Sequence, residues 1–309
     1  MITGKITGLL AMLCVLALTV THPEAHAATT NDAHPVIRIG SKDFTENLIV
    51  GELYALALED AGYKVSRVFN IAGSIVHTSI LNDQIDLYPE YTGTGLLTIL
   101  KMEPVTDPEE VYETVKREYS QRFNLTWLDQ SGANDSQGLV LKTSVADRLG
   151  ISTISGLQAQ AEKIRFASQG EFDMRDDGLP GLEKTYGPFR WKSSRVYDNG
   201  LKYQILRNDD ADLTPAYTTE GQLTDTREFT LLRDDKNVWP PYYLAPVVRD
   251  GVLAAHPEIG SVLNRVSASL DTETMIRLNA GVDVEKREVE DVAREYFGSI
   301  KAGLREAAR

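Results

Sequence analysis

Cysteine is almost missing from this sequence. Of its 309 residues one is a cysteine, Cys14, and it lies in an apolar N-terminal segment that we interpret as a targeting signal. The mature chain would then contain no cysteine. This excludes a disulfide, a thiol nucleophile and a cysteine-ligated metal for the mature protein.

Histidine and catalytic motifs are scarce as well. The five histidines are His22, His26, His34, His77 and His256, and none has the spacing of metal ligands. The chain contains no phosphate-binding loop and no Gly-x-Ser-x-Gly motif, and Gly93-Thr94-Gly95 lacks the third glycine of a dinucleotide fingerprint. We therefore expect no metal, no cofactor and no enzymatic activity.

The sequence is also poor in positive charge and in long hydrophobic runs. The formal net charge is −13, which argues against a nucleic-acid partner, because phosphate binding needs clustered Lys and Arg. The one long apolar run, Gly8 to Val20, is too short to span a bilayer and follows the positive charge of Lys5. Ala25-His26-Ala27 then fits a small-x-small cleavage site. We predict that residues 1–27 are a signal peptide and that the mature protein is periplasmic.

One sequence motif occurs twice in the predicted mature chain. Asp86-Leu87-Tyr88-Pro89-Glu90-Tyr91-Thr92 shares the pattern Asp-Leu-x-Pro-x-Tyr-Thr with Asp212-Leu213-Thr214-Pro215-Ala216-Tyr217-Thr218. Two copies so far apart predict two similar lobes, each with a tyrosine at the end of a strand. Pro89 and the following glycines place Tyr91 on a tight, rigid turn rather than inside a central strand. Because ligands bind outside the carboxyl ends of strands in open α/β sheets, we expect a cleft with one aromatic from each lobe.

The order of elements supports an α/β fold. Strands and helices alternate from Val36 to Tyr88, including a helix from about Thr45 to Ala61 with Ser41 or Thr45 as its N-cap. The alternation restarts over about 139–244. We place lobe 1 at residues 35–138 plus 246–309 and lobe 2 at residues 139–245. Two chain crossings, near 137–141 and 243–248, would form a hinge.

Aromatic residues beside proline or glycine are the best candidates for a binding site. Tyr91, Tyr217, Tyr242 and Tyr243 share this setting. A single loop tyrosine is most often a packing residue, but four on rigid turns favour a site. Aromatic faces attract a desolvated cation by about 0.5–2 kcal/mol per contact, and cages of them recognise quaternary ammonium groups.

Two cations are candidates for binding an anionic group. Lys42 precedes a predicted helix start, where the helix dipole adds to its charge. Arg175 lies among several acids, so either a surface ion pair or a planar clamp on a ligand carboxylate fits it. The residues alone leave these two alternatives open.

Four stretches of the chain together resemble one known family. They are Gly40-Ser41-Lys42-Asp43-Phe44-Thr45-Glu46, Asp86–Thr94, Ala216–Gly221 and Asp234–Val248. In these stretches the chain resembles the substrate-binding proteins of ABC importers for glycine betaine, choline and related osmoprotectants. The resemblance implies a two-lobed periplasmic binding protein of type II, with a hinge and an interlobe ligand cleft.

The resemblance also implies roles for particular residues. Tyr91, Tyr217 and Tyr242 match cage tyrosines around a trimethylammonium group, and Lys42, Thr94 and Arg175 match the groups that hold the ligand carboxylate. Family members usually carry Asn-Asn-Thr-Tyr where this chain has Asn134-Asp135-Ser136-Gln137, so Gln137 replaces a cage tyrosine. An amide offers hydrogen bonds but no π face. Carnitine, ergothioneine or another betaine could therefore fit better than glycine betaine.

The sequence thus predicts a monomeric periplasmic solute-binding protein. It would bind a quaternary-ammonium compound and deliver it to a membrane ABC permease with its ATPase. One alternative is a sensory or regulatory domain for a related amine or betaine, such as ergothioneine, without transport. An exported enzyme on the same scaffold is a third hypothesis, for which no nucleophile–base pair is visible.

Overall fold

The computed structural model describes residues 36–306, and the predicted signal peptide lies outside this range. The strands are β1 Val36–Lys42, β2 Lys64–Ile71, β3 Leu87–Tyr91, β4 Leu125–Trp127, β5 Gln137–Lys142, β6 Arg165–Ser168, β7 Ser193–Val196, β8 Leu213–Tyr217, β9 Phe229–Leu231 and β10 Leu244–Arg249. The helices are α1 Thr45–Asp60, α2 Val76–Leu81, α3 Thr92–Thr94, α4 Pro108–Phe123, α5 Thr143–Leu149, α6 Ile154–Gln158, α7 Gly170–Met174, α8 Leu179–Tyr186, α9 Lys202–Arg207, α10 Asp250–Ala255, α11 Glu258–Ala268, α12 Thr272–Asp283 and α13 Val289–Glu306. A π-helix, Gly95–Ile99, continues α3, and 3₁₀ turns occupy Ala161–Lys163, Asn199–Leu201 and Gly221–Thr224.

The strands form two five-stranded sheets of the same design. Their orders are β2-β1-β3-β10-β4 and β7-β6-β8-β5-β9. In the first sheet β1 runs parallel to β2 and β3, whereas β10 runs antiparallel to β3 and β4. In the second sheet β6 runs parallel to β7 and β8, whereas β5 runs antiparallel to β8 and β9. The predicted two-lobed α/β fold is confirmed.

The chain passes between the sheets twice. The first sheet takes its strands from residues 36–127 and 244–249, and the second takes its strands from residues 137–231. The lobe boundaries at 138/139 and 245/246, and any movement about them, stay a prediction.

Helices cover both faces of the first sheet, as period-two alternation along its strands requires. Leu87 and Tyr91 of β3 pack in one core with α1, α11, α12 and α13. Tyr88, between them, packs in the opposite core with α2, α4 and Trp127. Because α1 is enclosed by the sheet and three helices, its polar residues Glu46 and Asn47 are buried as well. This burial brings a carboxyl group into the interior beside Tyr91.

The repeated motif has a structural basis in its aspartates. The Asp86 carboxylate accepts hydrogen bonds from the backbone N–H and guanidinium of Arg38, at 2.7–3.0 Å. The Asp212 carboxylate binds the backbone N–H and guanidinium of Arg165 in the same way, at 2.6–3.0 Å. Each arginine lies on the strand parallel to the motif strand, so each pair ties two strands together. The aspartates therefore belong to the scaffold and the tyrosines lie beyond them, at the strand ends.

The prediction that Tyr91 stands on a tight turn is wrong. Tyr91 is the last residue of β3, the central strand of its sheet, and pairs with Leu244. Pro89 is tolerated there because it stands opposite Pro246, a second residue without an N–H, at a position where the ladder forms no hydrogen bond. On its other side the Pro89 carbonyl accepts from the Asn47 side chain at 3.0 Å instead of from β1.

The glycines after Tyr91 serve close packing instead of a turn. Neither Gly93 nor Gly95 has a positive φ, and the chain continues from β3 directly into helix. A Cβ on Gly93 would lie 2.7 Å from the Tyr242 ring, and one on Gly95 would lie 2.8 Å from Trp127. Gly93 thus lets the Tyr242 ring lie against the backbone two residues after Tyr91.

The predicted N-caps of α1 are also wrong. Phe44 occupies the cap position and makes no side-chain capping bond. The Thr45 hydroxyl donates to Asp283 at 2.6 Å, and the Ser41 hydroxyl accepts from the Asn70 N–H at 3.3 Å. Both hydroxyls have long-range partners, which override the local capping pattern.

Candidate functional site

The predicted binding residues lie in two groups, each arranged around a carboxylate. At the end of the first sheet Lys42 pairs with Glu90, and Tyr91 contacts both Glu90 and Glu46. Thr94 ends α3 nearby in sequence and is partly exposed. The others, Gln137, Arg175 and Tyr242, contact Asp177, and Tyr217 ends the central strand of the second sheet.

Tyr91 is held by three contacts. Only 3% of its surface is exposed. Its hydroxyl donates to Glu46 Oε1 at 3.0 Å, and its backbone N–H donates to Glu90 Oε1 at 2.8 Å. Lys42 Nζ lies 5.1 Å from the centroid of its ring. The ring of Tyr91 therefore already has one cation of the protein as a neighbour.

Lys42 is buried, and its charge is compensated. It ends β1, is 5% exposed, and its ammonium group forms an ion pair and hydrogen bond with Glu90. A buried ion pair of this kind is costly to break, because removal of one partner leaves an uncompensated charge. Lys42 is thus close to Tyr91, but its ammonium is already bound to protein.

Asp177 organises the second group. It accepts from Arg175 Nε and a terminal nitrogen at 2.7 Å, from Gln137 Nε2 at 3.0 Å and from the Tyr242 hydroxyl at 3.2 Å. Burial works to raise the pKa of Asp177, but the hydrogen bonds and charge of Arg175 outweigh it, so this pKa lies below its usual value. The carboxylate is therefore ionised and fixes the orientation of three side chains that we predict to bind ligand.

Tyr217 differs from Tyr91 in its exposure. Its surface is 41% accessible, yet burial of the hydroxyl raises its pKa, with a further contribution from the charge of Asp135. Lys202, which pairs with Glu220, lies 5.8 Å from the ring centroid. A side chain that is accessible but poorly hydrated is typical of the wall of a recess. Part of the Tyr217 side chain is therefore open to a bound molecule.

A second pair of carboxyl groups, Glu46 and Asp135, is linked to Tyr91 by a chain of hydrogen bonds that runs through Asn279 and Thr219. The Glu46 carboxylate accepts from the Tyr91 hydroxyl at 3.0 Å and from Asn279 Nδ2 at 2.8 Å. Asp135 Oδ1 accepts from the Thr219 hydroxyl at 2.7 Å, and Asn279 Nδ2 also donates to the Thr219 carbonyl at 2.8 Å. This network joins α1 and α12, which pack on the first sheet, to the loop that follows β8 of the second.

The cation that acts on this pair is Lys42, whose charge lowers the pKa of Asp135 by less than burial raises it. Within residues 36–306, Glu46 and Asp135 form no ion pair. Burial raises the pKa of Glu46, and burial followed by the charge of Glu46 raises that of Asp135 well above the ordinary carboxyl value. The charge of Asp135 also contributes to raising the pKa of both Tyr91 and Tyr217. Ionisation of this pair is therefore disfavoured in the protein without ligand, and a bound cation would favour the ionised form.

The raised pKa of Asp135 predicts a pH dependence of stability. A carboxyl group with a raised pKa in the folded protein binds more protons there than in the unfolded chain, so stability falls as pH rises from about 4 through the raised value. We expect Asp135→Asn, without ligand, to be about 1–3 kcal/mol more stable than wild type at pH 7.5, because it removes a charge whose burial is unfavourable. Urea unfolding at pH 4.0, 5.5 and 7.5 measures this.

Wild type and Asp135→Asn should have similar free energies of unfolding at pH 4, where Asp135 of the wild type is protonated. The Asn oxygen can still accept from Thr219, so the hydroxyl keeps its partner. A wild-type protein that is the more stable of the two at pH 7.5 would contradict this prediction.

Glu46, Asp135 and Asp177 were not among the predicted site residues, although each is close in sequence to one of them. A usable signal existed for Glu46 alone: it stands in the first turn of a helix that is otherwise apolar on most sides. The roles of Asp135 and Asp177 depend on partners such as Thr219 and Tyr242, which are 84 and 65 residues away. A local pattern contains no information about such partners.

Neither a metal site nor a membrane-spanning helix is found among the described residues. Within residues 36–306, no three side chains of His, Cys, Asp or Glu are grouped so that they could hold a metal ion. No helix in that part of the chain combines the length and apolarity needed to cross a membrane.

The sequence and the fold of this chain are similar to those of known proteins. The family described as the substrate binding domain of ABC-type glycine betaine transport systems matches residues 35–299. A glycine-betaine-binding protein of Pseudomonas aeruginosa PAO1 is 33% identical over 271 residues, which are 84% of this chain and 86% of that protein. A solved structure entitled glycine betaine/carnitine/choline ABC transporter has a TM-score of 0.81 and 26% identity, covering 87% of this chain and 98% of that one.

A longer relative combines two parts. The ergothioneine transport permease/ergothioneine binding protein of Helicobacter pylori G27 is 30% identical over 261 residues. The match covers 84% of this chain and 46% of the relative, so this chain spans less than half of that protein.

Proposed function

The chain belongs to the family of substrate-binding domains of ABC-type glycine betaine transport systems, and from this premise we propose that it binds a quaternary-ammonium compound. It does so in the periplasm, as a monomer without catalysis, and delivers the compound to an ABC permease that works with an ATPase. The relatives of known ligand bind glycine betaine or ergothioneine according to their names, which favours this class of compound.

The observation that carries the proposal is the hydrogen-bond network that links Tyr91 of one sheet, through Glu46 and Asn279, to Thr219 and Asp135 beside the other. Tyr91 ends the central strand of one sheet, Tyr217 ends the central strand of the other, and the charge of Asp135 acts on both hydroxyls. A methylated cation at this place would meet aromatic faces and a nearby negative charge. Tyr242, against Gly93 and bonded to Asp177, supplies a third ring.

We propose that Arg175 is the main residue that binds the carboxylate of a zwitterionic ligand. Its side chain is 44% exposed, so a ligand oxygen can reach the guanidinium while Asp177 holds its orientation. Thr94 is partly exposed as well and completes this end of the proposed site. Lys42 takes part through its charge, because its ammonium would have to leave Glu90 to bind the ligand directly.

A ligand panel tests the proposal. We expect glycine betaine, choline, carnitine or ergothioneine to raise the melting temperature of the purified mature protein. A ligand at 100 times its Kd stabilises the folded state by about 2.7 kcal/mol, which corresponds to roughly 5–10 °C for a chain of this size. Differential scanning fluorimetry over a range of ligand concentrations measures this shift.

Glycine and ethanolamine are the matched controls, because they lack the methyl groups and are strongly hydrated ammonium ions. We expect no shift with either. The proposal fails if no quaternary amine shifts the melting temperature at millimolar concentration, or if glycine shifts it as much as glycine betaine does.

A further inference from the structure

Asp135 has fewer hydrogen-bond donors than its carboxylate can accept. Its side chain accepts from the Thr219 hydroxyl at 2.7 Å, whereas an ionised carboxylate offers about four acceptor positions. The residue keeps part of its surface accessible even though the surrounding protein desolvates it. A carboxylate in this setting has room for a donor from a bound molecule.

The backbone fixes Asp135 within the proposed site. Its N–H donates to the Tyr242 carbonyl at 3.0 Å, and the Tyr242 N–H donates to the neighbouring Asn134 Oδ1 at 2.7 Å. Because Asp135 is tied in this way to a predicted cage residue, a ligand between the tyrosines would lie beside its carboxylate.

The side-chain oxygen of Asn279, in the same hydrogen-bond network, also lacks a donor. Asn279 is 3% exposed, and its Oδ1 has no hydrogen-bond partner within the described residues. The orientation of this amide is determined, because Nδ2 donates to two acceptors, Glu46 Oε2 and the Thr219 carbonyl, both at 2.8 Å. The network around Asp135 therefore has acceptors in excess.

A trimethylammonium group cannot satisfy these acceptors, since it has no N–H. Lys42 and Arg175, the predicted cations of the site, already donate to Glu90 and Asp177. The missing donor has to come from another part of the ligand. A buried acceptor left without a donor lowers affinity, which is how a site rejects a ligand of the right shape that lacks the group.

We propose that Asp135 is a specificity-determining residue that accepts a hydrogen bond from an O–H or N–H group of the ligand. This inference rests on the proposed function. It divides the quaternary amines into two classes: choline and carnitine carry an O–H and ergothioneine carries a ring N–H, whereas glycine betaine has no donor. The site favours the first class.

The test compares choline with propyltrimethylammonium, which has the same charge and headgroup and a methyl group in place of the hydroxyl. Isothermal titration calorimetry at pH 7.5 gives both dissociation constants. We expect wild type to bind choline about 10- to 100-fold more tightly, the effect of a hydrogen bond to a charged group. In Asp135→Ala this ratio should fall to within about threefold.

Asp135→Asn is the second variant, and it keeps the bond to Thr219 if Asp135→Ala does not fold. Its neutral oxygen is a weaker acceptor, so the ratio should fall severalfold while propyltrimethylammonium binds as it does to wild type. A ratio near one in wild type, or a ratio unchanged in both variants, would overturn this inference alone. If wild type binds neither of these two compounds, nor glycine betaine, nor any other member of the panel, the proposed function is overturned and this inference with it.

Discussion

Tyr91→Ala is expected to destabilise the protein far more than Tyr217→Ala, although the two tyrosines occupy the same position of a repeated motif. Tyr91 is 3% exposed and packs in the core with α1, so its removal should lower the free energy of unfolding by about 3–5 kcal/mol. Tyr217 is 41% exposed, so its removal should change this free energy by less than about 1 kcal/mol. Chemical unfolding of the two ligand-free variants measures the difference.

Ligand binding completes the comparison. Tyr217→Ala should weaken the binding of a quaternary amine by about tenfold or more, since a desolvated cation–π contact and the apolar area of the ring are both lost. Tyr217→Phe keeps the ring and serves as the matched control, with an affinity close to that of wild type. Equal losses of stability in the two alanine variants would show that Tyr217 is a packing residue and would contradict this prediction.

Gly221→Ala is expected to weaken ligand binding by about 10- to 100-fold, by opposing the contact between the two halves of the molecule. Gly221 follows β8, and a Cβ on it would lie 2.5 Å from the Ala280 nitrogen of α12 and 2.7 Å from the Asn279 carbonyl carbon. These are backbone atoms of a helix and cannot rotate away. Overpacking of this kind costs about 1–3 kcal/mol. If the two lobes close on the ligand as predicted, this cost reduces the population of the closed form by the corresponding factor.

Gly221→Ala adds this steric clash without straining the backbone. Gly221 is absent from the glycines with positive φ, so alanine can adopt its backbone conformation. The contact also places Thr219 against Asn279, so its displacement opens the network around Glu46. Gly251→Ala is the matched control, because a Cβ there meets nothing within 4 Å. Calorimetric titration of both variants, with melting temperatures measured without ligand, tests the prediction. A Gly221→Ala protein that binds as tightly as wild type would contradict it.

Much of the fold could be predicted because its signals are local. Alternating, β-branched residues predicted β1, and apolar spacing predicted α1 to within one residue of its observed end. The elements that were not predicted include α7, β7 and α10, which have four to six residues each, too few for a period to be visible. The repeated motif correctly placed Tyr91 and Tyr217 at strand ends.

The site was less predictable, because the same motif occurs in two different surroundings. Pro89 argued against a central strand, yet β3 is central because Pro246, more than 150 residues later, stands opposite it. For Arg175 the sequence left an ion pair and a ligand clamp equally open. The structure shows its bidentate contact with Asp177, and its role toward a ligand stays a proposal.

By itself, then, the sequence determined the order of strands and helices, the duplication of the Asp-Leu-x-Pro-x-Tyr-Thr motif and the family. These depend on backbone preferences and periodicities that act over a few residues. Tertiary structure alone decided that Tyr91 is enclosed while Tyr217 is accessible, and that Glu46 and Asp135 share one hydrogen-bond network. Burial and charge compensation are sums over neighbours that are distant in sequence: Tyr91 and Glu46 are 45 residues apart, and Glu46 and Asn279 are 233 residues apart. Those neighbours are defined only once the chain has folded.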